Sequence, residues 1–256
     1  MPTDRAACRT RPAALVGGLC GIALLAACTG GDGASEEAGA SSSAPATSTS
    51  PSSSAPAPDT ETGGLAAGLL PGDAFGENAT VVTRSREQLR QSAALTTDPD
   101  SLDVSPKACA EVLSATQPPI DDYEGVAAQS ATVGATTSVE VLLQGSETRE
   151  AAATLTDAVE ACPKAQISSP ELGEATLTFE TLDAPAVGDA ATAVRYTTTL
   201  TQGGQEVSVP ALVGLVQDGE RVITLLTIAT DGSSPDAAAF TSLLEQAFEV
   251  QAEKLG

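Results

Sequence analysis

The sequence contains no histidine and no tryptophan, and among its 256 residues only four are Phe and two are Tyr. Without histidine, Ser-His-Asp and Cys-His nucleophilic sites cannot form, and the commonest ligand for zinc and copper is missing. The scarcity of aromatic rings also leaves few surfaces on which sugars or bases could stack. These absences disfavour histidine-dependent hydrolases and zinc enzymes.

Basic residues are also scarce, since 12 Lys and Arg stand against 34 Asp and Glu, for a formal net charge of −22. Residues 1–27 hold three of the basic residues and one of the acidic ones, so the rest of the chain carries a formal charge of −24. Nucleic-acid binding requires a basic surface and is disfavoured, as is direct adhesion to anionic lipids. We interpret the acidity chiefly as a source of solubility.

The first 27 residues have the pattern of a secretory signal peptide. Three arginines precede an apolar run over 13–27, which ends in small residues at Cys28. This run is shorter than the roughly 20 apolar residues that a permanent membrane-spanning helix requires. The alternative is an ordinary signal peptide that ends in cysteine by chance.

Leu25-Ala26-Ala27-Cys28 resembles the bacterial lipobox. The resemblance implies cleavage before Cys28, attachment of diacylglycerol to its sulfur and acylation, for example by palmitate, of its new amino terminus. Each buried CH₂ contributes roughly 0.8 kcal/mol, so two or three acyl chains would hold the protein on a membrane. We therefore expect a lipoprotein at the extracytoplasmic face of the cell membrane.

The five cysteines divide between the signal peptide and the folded part. Cys8 and Cys20 leave with the signal peptide, and Cys28 is the predicted lipid site. Cys109 and Cys162 are left in an oxidising compartment, where two remaining cysteines usually pair. We predict a structural disulfide between them; two free thiols and a redox pair are the alternatives.

Composition divides the mature chain into a tether and a domain. Residues 28–64 comprise the predicted lipid site and a linker rich in Ser, Thr, Pro and Ala, which has no large apolar residue and is predicted to be disordered. Such a linker would place the domain roughly 30–36 Å from the membrane. Residues 65–256 are long enough for a single globular domain.

The predicted elements of that domain are short. They are a helical turn at 65–70, a strand at 80–83, a polar segment at 84–94, a helix at 105–116, strands at 126–133 and 138–143, a helix at 146–162, strands at 176–182, 191–200, 206–215 and 222–230, and a last helix from 235. Ser105 and Ser234 are the predicted N-caps, each followed by a proline at the first helical position. Turns at Gly134-Ala135-Thr136, Gly203-Gly204 and Asp218-Gly219 predict hairpins. We therefore expect an α+β fold, mainly an antiparallel sheet covered by helices.

The stretch from Ser105 to Cys162 is similar to a known module. A helix containing Cys109 is followed by Tyr123-Glu124-Gly125, a hairpin and a helix that ends at Ala161-Cys162. This succession resembles the PknH-type extracellular sensor domain of actinobacterial kinases and lipid-anchored proteins, and in the order of its elements the resemblance extends over residues 65–256. The resemblance implies a central antiparallel sheet with packed helices and a ligand-binding cleft. The resemblance supplies no ligand-binding residue that can be assigned to this chain. The kinase members have two disulfides in this domain, whereas this chain offers one pair of cysteines.

The function expected from these features is a non-catalytic ligand-binding or sensor-like module of the cell envelope. Its partners would be the membrane, through Cys28, and an unidentified small molecule, lipid or envelope protein. No cofactor, metal or catalytic residue is predicted, and the ligand-binding residues are unknown from the sequence. An assembly role with other envelope proteins is also compatible with the sequence.

Two other functions are open at this point. A lipid or glycolipid carrier would need an apolar cavity, and the residues available to line one are Val207, Val209, Leu212, Leu215, Ile223, Leu225 and Ile228. An envelope hydrolase is less favoured and would need paired carboxylates, such as Glu140 with Glu180. The acidic clusters at Asp98-Pro99-Asp100 with Asp103 and at Asp121-Asp122 lack the spacing of a calcium loop, and we interpret them as solvated loops.

Overall fold

The structure is a computed structural model that describes residues 64–96, 103–115, 119–169, 173–202 and 205–256. Within these ranges, nine strands form one antiparallel sheet and four α-helices accompany it. The predicted α+β class is therefore confirmed. Several predicted features lie outside the described residues: the signal peptide, the lipid site at Cys28, the linker as far as residue 63, the loop at Asp98-Pro99-Asp100 and the Gly203-Gly204 turn.

The strands run in the order β1-β3-β4-β9-β8-β7-β6-β5-β2 across the sheet. Their bounds are β1 Thr80–Arg84, β2 Asp103–Ser105, β3 Gly125–Val133, β4 Thr136–Gln144, β5 Lys164–Ser169, β6 Gly173–Leu182, β7 Ala190–Gln202, β8 Gln205–Asp218 and β9 Arg221–Ala229. The helices are α1 Arg86–Thr96, α2 Lys107–Ala115, α3 Ala151–Ala161 and α4 Ala237–Leu255. Among the described residues, no helix is long and apolar enough to cross a membrane.

One face of the sheet packs against α4. The strand register places Leu142 of β4, Ile223 and Leu225 of β9 and Leu212 of β8 on this face. These side chains are fully buried and form one cluster with Phe240, Leu244 and Ala247, the buried stripe of α4. The stripe recurs every three or four residues, which is the spacing of one helix face.

The opposite face packs against α1 and α3, with α2 resting on α3. Leu89 of α1 and Ala151 of α3 pack with Val126, Leu143 and Val222 of this face. Because both faces of the central strands are covered, β4 and β9 are buried along most of their length instead of alternating between buried and exposed residues.

The predicted disulfide is present and joins α2 to the end of α3. Cys109 and Cys162 are bonded, with Cα atoms 5.3 Å apart. Both residues are buried and pack against Ala165, Ile167 and Leu177, which lie on β5 and β6. The bond thus fastens the helical layer to the outer half of the sheet.

Some predicted boundaries are wrong. The sequence reading missed β2, β5 and α1, because β2 has three residues, β5 has just two apolar residues, Ala165 and Ile167, and α1 is strongly polar. The N-cap of α4 is Asp236 and not Ser234, because the Asp236 carboxylate accepts a hydrogen bond from the Ala239 N–H at 2.8 Å. Ser105 belongs to β2, and α2 begins at Lys107.

Removing the disulfide tests its contribution to stability. A cross-link between residues 53 apart in the chain stabilises a fold by about 4 kcal/mol when its effect is the restriction of the unfolded chain. We expect the Cys109→Ala/Cys162→Ala variant to lose about that much free energy of unfolding in urea titrations. Maleimide labelling of denatured, unreduced wild type should leave both cysteines unmodified, and labelling of both would contradict the pairing.

Candidate functional site

An open cleft of about 660 Å³ lies at one end of the sheet, where the ends of several strands meet. Its lining comes from segments distant in sequence: Gly64, Leu65, Glu124, Gly125, Gln144, Asp218, Gly219, Glu220, Arg221 and Leu255. The floor combines the start of β3, the end of β4 and the turn between β8 and β9, while the C-terminal residue of α4 forms part of the rim. Tertiary structure alone brings these groups together.

Arg221 connects the strand turn to the end of α4. Its Nη1 donates to the Leu255 carbonyl at 2.7 Å, and its Nη2 donates to Asp218 Oδ2 at 3.2 Å. The same carboxylate oxygen accepts from Gln251 Nε2 at 2.9 Å. A guanidinium at a helix C-terminus also interacts favourably with the helix dipole, so this part of the cleft wall is fixed in place.

Gly64 and Leu65 also line the cleft, and they begin the segment of residues 64–70, which we name the strap. Leu65–Gly68 is a short 3₁₀ helix that lies against α4, β3 and β4. A Cβ atom added at Gly68 would lie 2.6 Å from Leu255 Cδ1, and one added at Gly125 would lie 2.5 Å from Leu65 Cδ1. A side chain at Gly68 or Gly125 would therefore force the Leu255 or Leu65 side chain to shift.

The strap ends above a buried carboxylate. Glu140 of β4 is fully buried, and its two carboxylate oxygens accept from the Leu70 N–H at 3.2 and 3.1 Å. Gln129 Nε2 donates to Glu140 Oε2 at 2.7 Å and to the Leu70 carbonyl at 2.8 Å. Glu140 and Gln129 together therefore engage both backbone polar groups of Leu70.

Burial changes the acidity of this carboxyl group. Desolvation raises the pKa of Glu140 to about 7, although the hydrogen bonds from Gln129 and Leu70 act in the opposite direction. Among the described residues, no lysine or arginine forms an ion pair with it. Near neutral pH, Glu140 is thus partly protonated inside the core.

The structure does not bring Glu140 and Glu180 together as a carboxylate pair. Four strand spacings, roughly 19 Å, separate β4 from β6 in the sheet. Glu180 is exposed and pairs with Arg195 at 3.1 Å. The two residues thus differ in burial and in partners, and they do not meet at one site.

The residues considered for an apolar cavity do not line a common space. Leu212, Ile223 and Leu225 are fully buried against α4. By register, Leu215 and Ile228 lie on the opposite face of the sheet. Val209 lies with them, and Val207, which is also on that face, is 40% exposed. The set is therefore divided between two faces.

The acidic loop at Asp121-Asp122 takes part in an ion pair. Asp121 accepts from Arg90 Nε at 3.1 Å, and this hydrogen bond lowers the pKa of the Asp121 carboxyl group. Within the described part of the chain, no group of three or more His, Cys, Asp or Glu side chains is placed to hold a metal ion.

Sequence reasoning missed the cleft and the roles of Gln129 and Gln251. Gln129 could have been noticed as a polar residue inside the apolar run of β3, paired across the hairpin with Glu140. Gln251 had no such signal, because glutamine is common in helices and α4 also carries Gln246. The cleft itself depends on residues that are far apart in the chain.

Comparisons with known proteins identify related folds. Neither a protein-family model nor a curated protein matches the chain. The extracellular domain of PknH from Mycobacterium tuberculosis is similar, with 11% identity, a TM-score of 0.47 and coverage of 73% of this chain and 94% of that one. An uncharacterised protein from Mycobacterium smegmatis, the Rv0999 ortholog, has 14% identity, a TM-score of 0.43 and coverage of 70% and 91%.

The first of these structures is an extracellular domain of the PknH type, the module that the stretch from Ser105 to Cys162 resembles.

The raised pKa of Glu140 predicts an unusual dependence of stability on pH. The folded protein keeps a proton that the unfolded chain releases at the ordinary value of 4.5, so wild type should lose stability as pH rises from 4.5 to about 7. The Glu140→Gln variant cannot ionise at this position. Relative to it, the free energy of unfolding of wild type should fall by up to about 3 kcal/mol across this range. Urea unfolding of both proteins at several pH values measures it.

Glu245→Gln is the matched control, because Glu245 is an exposed carboxyl group on α4. Its stability relative to wild type should stay constant over the same range. A constant difference for Glu140→Gln as well would mean that Glu140 titrates like an ordinary glutamate, contrary to the prediction.

Proposed function

We propose that this protein is a membrane-anchored, extracytoplasmic binding module, sensor-like and without catalytic activity, that binds a polar ligand in the cleft at the end of its sheet. The observation that carries the proposal is the cleft, whose lining comes from five separate segments of a domain with a closely packed core. An open, preformed concavity with a few fixed polar groups is typical of ligand sites.

The proposed location depends on the amino-terminal sequence. The signal-like residues 1–27 and the lipobox at Leu25-Ala26-Ala27-Cys28 favour export and lipid attachment. The disulfide between Cys109 and Cys162 is typical of an oxidising compartment outside the cytoplasm.

The absence of catalysis is inferred from the side chains available. The chain has no histidine, and Glu140 and Glu180 are four strands apart. The carboxyl group with the clearly raised pKa, Glu140, is enclosed by the core, and the cleft lining does not include it. A general acid must be within hydrogen-bonding reach of its substrate.

The chemistry of the cleft favours a polar ligand. Glu124, Asp218 and Glu220 contribute carboxylates, and Gln144 contributes a carboxamide. Arg221 is already engaged by Asp218 and the Leu255 carbonyl. Glu220 is paired with Arg149, and Asp218 also accepts from Gln251. The acceptors of Glu124 and Gln144 that are left favour a ligand with several donor groups or a positive charge.

Substitution of the lipobox cysteine tests the proposed anchor. We expect Cys28→Ala to release the protein from the membrane fraction, because the acyl chains would have no attachment site. Fractionation of an exporting bacterial host, with immunodetection, measures this release. Cys20→Ala is the control and should leave the protein on the membrane. A Cys28→Ala variant that stays on the membrane would refute lipidation at this residue.

Binding in the cleft can be tested by native mass spectrometry of the full chain, purified from an exporting host and incubated with an envelope extract. We expect a bound polar compound that is lost, or weakened at least tenfold, in Glu124→Arg, because the new guanidinium opposes a donor-rich ligand. Glu245→Arg, an equal charge change on exposed α4, should bind normally.

Two results would contradict this proposal. A lipid-sized or glycolipid-sized mass would favour the carrier function. Equal binding by wild type and Glu124→Arg would mean that the ligand does not occupy the cleft.

A further inference from the structure

We propose that Glu140 is a proton-controlled latch for the strap, so that protonation of this carboxyl group sets how firmly residues 64–70 hold to the sheet and whether one wall of the cleft is in place. This latch requires neither a particular ligand nor lipid attachment, and it is therefore independent of the proposed function.

The hydrogen bonds that join the strap to the sheet are concentrated at one residue. In the part of the chain that the structure describes, they all run through Leu70: its N–H donates to Glu140, and its carbonyl accepts from Gln129. The remaining backbone hydrogen bonds of the strap are internal, from Ala67 to Gly64 and from Leu69 to Ala66. Loss of the bonds at Leu70 would leave the strap held by apolar packing alone.

Positive charge is absent around Glu140 on each described element that packs against it. The strap carries no ionisable side chain, and neither does β3 on the face shared with Glu140. On β9, Arg221 lies opposite Gln144 of β4. Gln144 is four residues from Glu140 along β4, which places Arg221 about 13 Å from Glu140 along the strand direction. Asp73, on the turn after the strap, is exposed. The charged residues of α4 are exposed as well; they are Glu245, Glu249, Glu253 and Lys254.

The direction of the switch follows from this environment. When Glu140 is protonated, its oxygens can still accept from Leu70 and Gln129, and no charge is buried, so the strap stays closed. When Glu140 ionises, an anion lies in the core without a cation, and opening the strap lets water solvate it. Rising pH therefore favours the open strap.

The size of the effect follows from linkage. The pKa of Glu140 is about 7 beneath the strap, and an exposed glutamate has an ordinary pKa of about 4.3. The opening equilibrium should rise between these two values by roughly two orders of magnitude in total, and should then level off above pH 7. The strap is thus held most firmly in acid.

Opening of the strap changes the cleft directly. Gly64 and Leu65 form part of its lining, and Leu65 packs beside Gly125 at the start of β3. When these residues leave, one wall of the cleft is lost. Protonation of one buried carboxyl group would thus alter the binding surface.

Hydrogen exchange of the full chain, purified from an exporting host, tests the latch. Peptides covering residues 64–70 are followed from pH 4.5 to 8.5 by mass spectrometry, with correction for the intrinsic exchange rate. We expect strap protection in wild type to fall by up to roughly a hundredfold by pH 7 and then to stay level. In Glu140→Gln, strap protection should not change with pH, and Glu245→Gln should behave as wild type.

A second measurement keeps the proposal testable if Glu140→Gln does not fold. The amide resonance of Leu70 in wild type should titrate with a midpoint near 7. Gln129→Met, which removes one donor to the carboxylate, should move that midpoint higher, because the ionised form loses a hydrogen bond. A Leu70 amide that does not titrate between pH 5 and 9 would overturn the latch. Strap protection that does not change with pH in wild type would also overturn it.

Discussion

The central strands β4, β8 and β9 have to be covered on both faces, and the rest of the architecture depends on this requirement. Strands 9 to 14 residues long that carry Leu, Ile and Val on alternate faces cannot leave either side in water without exposing a large apolar surface. The stripe of α4 covers one face, and α1 and α3 cover the other. The strap completes the α4 side, where Leu70 joins the same cluster.

This double coverage explains why one acidic residue behaves unlike the other acids of a strongly acidic chain. Glu140 lies on a central strand, beneath the strap, where no solvent reaches it. Asp121 and Glu253 lie at the surface, where a hydrogen bond from Arg90 and one from Lys254, respectively, lower the pKa of each carboxyl group. Position within the layers therefore decides whether the pKa of a carboxyl group is lowered by a cationic partner or raised by burial.

The same layers determine where a concavity can form. The middle of the α4 face is filled by Phe240, Leu244 and Ala247, so open space is left where strands end and the covering elements stop. At that end the strap, the turn between β8 and β9 and the last residue of α4 meet around the cleft. The strap contacts both the buried carboxyl group of Glu140 and the cleft, so this one short segment links the two.

The sequence by itself determined the α+β class, most strands and the last helix, because β-branched runs, turns such as Asp218-Gly219 and helical stripes are local patterns. It also left Cys109 and Cys162 as the pair for a disulfide, and it carries Leu25-Ala26-Ala27-Cys28, on which the proposed lipid anchor depends. Only the tertiary structure decided that Glu140 is buried, that Glu180 lies far from it, and that Asp218, Arg221 and Leu65 surround one cleft. Burial and proximity depend on which distant segments pack together, and no single strand or helix encodes that in its own residues.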